Sequence, residues 1–142
     1  MKLLIDTHLL IWAAGASQRL PPLARALMAD RSNVLCFSPA SIWEVSIKQA
    51  LQRADFQVDA RLLRRLLLDN GYLEIALTSE HTAAVASLPD VHHKDPFDRL
   101  LVAKAIVEGI LLVTNDEQLP QYGGCVLNAN DISSITRLKP IA

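Results

Sequence analysis

Asp6, Glu44, Asp98 and Asp116 are the side chains best placed to do chemistry in this sequence, because each lies at or near a junction between an apolar run and a helical stretch. Carboxylates gathered at one point can hold a hard cation. No group of Cys and His residues has zinc-ligand spacing, so the ligands on offer are all oxygens. Oxygen-only sets favour Mg²⁺ or Mn²⁺. Each acid also has a structural reading. Asp6 can cap the helix that follows it. Glu44 stands three residues after Ser41, the spacing of a capping box, and four before Lys48, the spacing of an ion pair on a helix. Asp98 can complement a helix dipole, with Asp95 the better cap of the same helix. Asp116 can serve a turn.

The elements around these acids bring them to one place. Lys2–Ile5 reads as a buried strand ending at Asp6, with a helix over about Leu9–Ala14. Pro21 and Pro22 open a helix to about Ala29. Val34–Phe37 reads as a second strand, followed by a helix from Ser38-Pro39 to about Arg53. Asp59–Asp69 is helical, stopped by Asn70-Gly71, and Leu73–Leu77 is a third strand. Thr78 or Ser79 caps a short helix that ends before Pro89. Asp95 caps a helix running to about Glu108 and closed by Gly109. Ile110–Thr114 is a fourth strand, with a short fifth at Cys125–Leu127. Strands that alternate with helices and read as continuous apolar runs specify a parallel sheet covered on both faces. The expected fold is therefore α/β, a three-layer α/β/α sandwich on a central parallel sheet of four to five strands.

In such sheets ligands bind outside the carboxyl ends of the strands. Asp6 and Asp116 end strands. Asp98 begins a helix that runs opposite to the strands, so it starts at the same edge. Glu44 joins them if the second strand lies in the same sheet. Like charges that meet repel, by roughly 4 kcal/mol for a pair about 4 Å apart at an effective dielectric near 20. A bound divalent cation removes that cost, whereas capping alone gives no reason to accumulate it.

With 142 residues, the chain is expected to form a single domain over residues 1–142. At 51% hydrophobic and 20% charged it has a globular balance, which argues against long disorder. A net charge of −1 counts mildly against a protein that coats DNA, while a local basic rim suffices for an enzyme acting on RNA. The apolar start is interrupted by Asp6 and His8, unlike a secretory signal, and no run approaches the length of a membrane span. Cys36 and Cys125 each lie in apolar runs and read as buried free thiols. The expected location is cytoplasmic, with no membrane association.

Four segments carry a resemblance: LLIDTHLLIWA, SPASIWEVSIK, HHKDPFDRLLVAKA and LLVTNDEQLPQYG. In order and spacing they resemble the PIN-domain proteins, and most of all the VapC-type toxins of bacterial toxin–antitoxin pairs. The likeness covers almost the whole chain. It implies a PIN-like fold, an endoribonuclease using Mg²⁺ or Mn²⁺, and water attack that leaves a 5′-phosphate. It places the metal-holding and catalytic acids on Asp6, Glu44, Asp98 and Asp116, and a hydroxyl near the metal on Thr114. It also implies a homodimer held inactive by a small antitoxin protein, with RNA as substrate.

Other residues have two readings. His8, His92, His93 and Lys94 can touch phosphates or sit in surface loops. Lys48 and Arg99 can steer RNA or pair with a carboxylate. Trp12 and Trp43 read as core or dimer packing rather than base-stacking platforms. Two rival functions differ in class. One is a catalytically inactive PIN-like binding module that acts by docking a partner. The other is a phosphoryl-transfer enzyme with Asp6 as nucleophile, but such a site wants a second Asp two residues on, where this chain has His8.

Overall fold

The computed structural model describes residues 1–89, 95–131 and 133. Its centre is β1 (Lys2–Ile5), whose last three residues are buried. β1 pairs in parallel with β2 (Val34–Phe37) on one side and with β4 (Leu111–Thr114) on the other. β3 (Leu73–Glu74) and β5 (Val126–Asn128) add the edges, also parallel, giving the order β3-β2-β1-β4-β5. The expected parallel sheet is observed, with five strands. Consecutive strands step outward from β1 to β3 on one side, and then the chain crosses to β4 and β5 on the other. The gap between β1 and β4 is thus the point where strand order reverses, which is where sheets of this kind bind ligands.

Alternation along the strands builds two cores. Leu3 and Ile5 join Leu9 and Leu10 of α1 (Thr7–Ala14), Ala24 of α2 (Pro22–Ala29) and Leu63 and Leu67 of α4 (Ala60–Asp69). Leu4 and Leu112 face the other way, onto Leu101, Val102 and Ala105 of α6 (Pro96–Glu108). α5 (Ser79–Ala84) packs on α6. α3 (Pro39–Ala50) gives Ala40 to the second core and Val45 to the first, and it touches α1, α4 and α6. It therefore closes over the sheet edge from which it emerges.

Several boundaries differ from expectation: β4 starts at Leu111 and β5 spans Val126–Asn128, each shifted by one residue, and three others have a local reason. α3 ends at Ala50 rather than near Arg53, and Gln52 just beyond it adopts a positive φ of 51° that no helix continues through. β3 stops at Glu74: the Ile75 N–H still reaches the Phe37 carbonyl, but β2 ends there and the chain turns into α3 through Pro39, which has no N–H to give, so the Ile75 carbonyl meets the Lys104 ammonium instead. α1 begins at Thr7, two residues earlier than the apolar pattern suggests, since Asp6 caps it directly. Gly109 ends α6 in the left-handed conformation, φ 66°, as a residue without a Cβ does most cheaply. Cys36 is buried and Cys125 partly buried, and both are free thiols.

Candidate active site

Asp6 ends β1 and begins α1, so its carboxylate stands at the carboxyl edge of the central strand, 3% exposed. Oδ1 accepts from the Thr7 N–H at 2.7 Å, and Oδ2 accepts from the Thr114 hydroxyl at 2.6 Å. Thr114 is the last residue of β4, fully buried, and its oxygen in turn accepts the Asp116 N–H at 3.0 Å. One hydroxyl thus ties Asp6 to the loop that carries Asp116, across the gap between β1 and β4. Asp116 is half-buried and its Oδ1 accepts from the Gln118 N–H at 2.9 Å, so it shapes the turn as well as facing this edge.

Burial pushes the Asp6 carboxyl above its ordinary range, and the Glu44 charge adds to the rise. The Thr114 and Thr7 hydrogen bonds and the nearby His8 pull it back without cancelling the rise. An ionised Asp6 is therefore held by the fold at a cost.

Glu44 does not cap its own helix. Ser38 takes that role, accepting the Ala40 N–H at 3.1 Å, while the Ser41 hydroxyl accepts from Thr7 Oγ1 at 2.9 Å. The Ser41-to-Glu44 capping box read from the spacing is thus not formed, and the Glu44 side chain is left for another use. Its Oε2 meets Lys48 Nζ at 2.9 Å, the expected ion pair, but on a glutamate only 4% exposed. Its Oε1 is buried with no hydrogen-bond partner among the described residues. A buried carboxylate oxygen without a donor costs about 1–3 kcal/mol or more, so Glu44 Oε1 is free to accept a donor or to coordinate a cation.

Asp98 is the third residue of α6 and half-buried. Asp95 accepts both the Phe97 and Asp98 N–H groups, at 2.9 and 3.1 Å, and so does the capping. The starts of α3 and α6 are held together by an edge-on contact of the Trp43 and Phe97 rings, centroids 5.1 Å apart. These rings are the sequence neighbours of Glu44 and Asp98.

Among the described residues no three carboxylates, imidazoles or thiols are close enough to make a preassembled metal cage. That does not disqualify a hard cation. Mg²⁺ keeps several waters and is usually held by one or two carboxylates rather than by an all-protein cage. The buried Asp6 carboxyl, the unpartnered Glu44 oxygen and the oxygen-only donor set all fit such an ion.

Several residues that hold this edge do not stand out in the sequence. Lys104, on α6, is fully buried and donates to Ser38 Oγ at 3.0 Å and to the Ile75 carbonyl. It therefore pins the capping residue of α3 to the helix that carries Asp98. A lysine within an apolar helical stretch is the available signal, but nothing local says that it points inward. Arg99 donates to the Tyr122 hydroxyl at 2.9 Å and lies over that ring, so a phenol holds it on this face. Trp43 is 58% exposed, so it is not a core residue. His92, His93 and Lys94 lie outside the described residues.

The fold and this edge define a class: a parallel α/β domain with two buried carboxylates, Asp6 and Glu44, near the carboxyl edge where strand order reverses. Residues 3–124 match the PIN domain model, and the chain belongs to the PIN-domain family. Ribonuclease VapC22 of Mycobacterium tuberculosis is 26% identical over 119 residues, covering 84% of this chain and 90% of that protein. Among solved structures, a toxin–antitoxin complex from Klebsiella pneumoniae superposes with a TM-score of 0.62 at 18% identity, covering 92% of this chain and 99% of its counterpart. VapBC2 from Rickettsia felis, bound to a DNA fragment from its promoter, gives a TM-score of 0.60 at 17% identity, covering 86% and 93%. At these identities the structural likenesses establish the shared fold.

Proposed function

We propose that this chain is a divalent-metal-dependent endoribonuclease and the toxin of a toxin–antitoxin pair. The observation that carries the reading is the buried carboxylate pair Asp6 and Glu44, one with its pKa raised by burial and the other with an orphaned oxygen, at the switch point of a PIN-domain sheet. The similarity to a protein named as a ribonuclease supports RNA as substrate, and the complexes among the structural neighbours support an antitoxin partner.

In this reading Asp6, Asp98 and Asp116 hold Mg²⁺ or Mn²⁺, with Glu44 beside them. A bound ion supplies a water of lowered pKa and neutralises charge on the scissile phosphate. The protein's own part is positional. Thr114 orients the Asp6 carboxylate and, through the Asp116 N–H, fixes the loop that follows β4. Thr7 and Ser41 lock the start of α1 to α3, so Asp6 and Glu44 keep their spacing. Lys48 offsets the Glu44 charge while no cation is bound.

Trp43, Ile47 and Leu51 form an exposed apolar stripe at four-residue spacing on and just beyond α3, which supports the homodimer reading. No described helix is long and apolar enough to cross a membrane, in keeping with a cytoplasmic site of action. The decisive experiment is cleavage of a mixed RNA pool by the purified chain, with Mg²⁺ and with EDTA, followed by mapping of product ends. Metal-dependent cutting with 5′-phosphate ends is expected. Cleavage that continues in EDTA overturns the metal role. An inert protein that still captures its partner supports the binding-module alternative, and a trapped phospho-aspartate supports the phosphoryl-transfer one.

A further inference from the structure

Beside the acid site lies a cavity of about 350 Å³ whose lining includes His8, Trp12, Arg19, Lys48, Arg53 and Phe56. Pockets for small ligands begin at roughly this size, about 300 Å³. Arg19, Lys48 and Arg53 line it against the single carboxylate of Asp55, so it is locally positive on a chain whose net charge is −1. The Arg53–Asp55 pair is exposed on both sides, at 64% and 71%, and an exposed pair of this kind yields readily to a competing anion. Arg19 takes no side-chain partner among the described residues. Rings complete the lining: His8 and Trp12 lie 5.8 Å apart, and the Phe56 ring sits 5.8 Å beneath the Lys48 ammonium.

The cavity adjoins the acid site through a shared residue, although none of the four acids lines it. Lys48 lines it and also touches Glu44 Oε2 at 2.9 Å, and His8 follows Asp6 by two residues. Whatever fills it lies next to the reacting phosphate. Trp12 and Phe56 are half-buried, packed on the core beside the cavity they line. A positive groove lined by rings is the pairing that single-stranded nucleic acid needs, with phosphate on the cations and a base on an aromatic face. A duplex keeps its bases stacked and cannot offer that face.

We infer that this cavity is a subsite for one unpaired nucleotide of the RNA, adjacent to the bond that is cut. Arg19 and Arg53 take its phosphate, and Trp12 and Phe56 take its base. The inference rests on the nuclease reading for its ligand class, yet it is tested by binding alone.

The experiment measures fluorescence anisotropy of a short fluorescein-labelled single-stranded oligouridylate with the full chain in EDTA, across a salt series. The Arg19→Gln/Arg53→Gln variant changes only exposed side chains, and its melting curve checks folding. It is expected to bind about tenfold more weakly, with the slope of log affinity against log salt reduced by about 0.7 for each phosphate that is no longer neutralised. Trp12→Leu is expected to weaken binding by about tenfold with an unchanged salt slope, as removal of a stacking ring does. A blunt duplex of the same length is expected to compete poorly. Wild-type affinity and slope in both variants overturn the subsite. So does a result in which both variants keep RNA binding but no longer bind the antitoxin of the proposed pair, since the cavity is then a protein-docking groove. If the wild type binds through these residues yet cuts nothing in Mg²⁺ or Mn²⁺, the subsite stands and the nuclease reading falls.

Discussion

Two buried polar regions flank the start of α3, and they are built to opposite ends. On one side Lys104 donates to Ser38 and to the Ile75 carbonyl. Nearby, His81 is equally well served: its Nδ1 accepts the Thr78 N–H at 3.0 Å, which leaves Nε2 to donate to Glu108 at 2.8 Å. On the other side the Asp6 oxygens are served by Thr7 and Thr114, but Glu44 Oε1 has no donor among the described residues. A polar group taken from water must be repaid in hydrogen bonds or it destabilises the fold. The Lys104 side meets that condition with the chain's own atoms and reads as scaffold. The carboxylate side leaves it unmet and reads as a place kept for a ligand.

Removing charge from the unsatisfied side tests this contrast most severely. Asp6→Asn is expected to lower Mg²⁺-dependent RNA cleavage by at least about 100-fold, the scale of a lost metal ligand. It is also expected to leave the metal-free protein as stable as the wild type or more so, because burial disfavours the ionised form of the carboxylate it replaces. Cleavage assays paired with thermal melts in EDTA check both halves. A variant that melts much earlier and cuts normally would make Asp6 a structural cap.

Next comes the response to metal. Mg²⁺ at 100 times its dissociation constant is expected to stabilise the wild type by roughly 2.7 kcal/mol. That corresponds to a melting shift of several degrees, at about 2–4 °C per kcal/mol for a domain near this size. Asp98→Asn is expected to lose most of that shift, while its metal-free stability stays equal or rises by about 1 kcal/mol. Full retention of the shift, with a large loss of metal-free stability, would remove Asp98 from the site.

The satisfied side is tested by pH. Burial lowers the Lys104 pKa from 10.5 to about 8, with Glu108, Glu74 and Cys36 pulling it back upward. Between those two values the unfolded chain binds more protons than the native one, so stability rises with pH across that window. Below the lower value the cost of the buried ammonium is fully present. Lys104→Met has no such group. Its stability relative to wild type is therefore expected to fall by on the order of 2 kcal/mol from the bottom to the top of the window, after allowing for solvent screening. Denaturant melts of both proteins at either end measure it, and a difference that does not change with pH would mean that Lys104 is not buried as a cation.

The smallest effect is the control. Asp95→Asn keeps the cap of α6, since Asn caps nearly as well as Asp. Stability within about 0.5 kcal/mol of wild type and an unaltered Mg²⁺ shift are expected. A changed metal response would extend the site to Asp95.

Much of this molecule is written locally. Apolar runs and the residues that stop them specify β1, β2 and β4, the Asp95 cap and the Gly109 stop, because strands buried on two faces and helix ends are decided by neighbours in sequence. The order of the acids along the chain, and the expectation that they share one sheet edge, come from the same pattern. What the spacing does not decide is which of two legitimate partners each side chain takes. Ser41 and Glu44 have capping-box spacing, yet Ser41 bonds Thr7, because α1 and α3 meet only in the folded chain. Thr114 reaches Asp6 across 108 residues of sequence, and Lys104 reaches Ser38 across 66. Whether a lysine on α6 points to solvent or into a core, and whether Trp43 is covered, depends on what packs opposite. Local propensity sets elements and their ends. The satisfied and unsatisfied charges that separate scaffold from site arise only where distant segments bury one another.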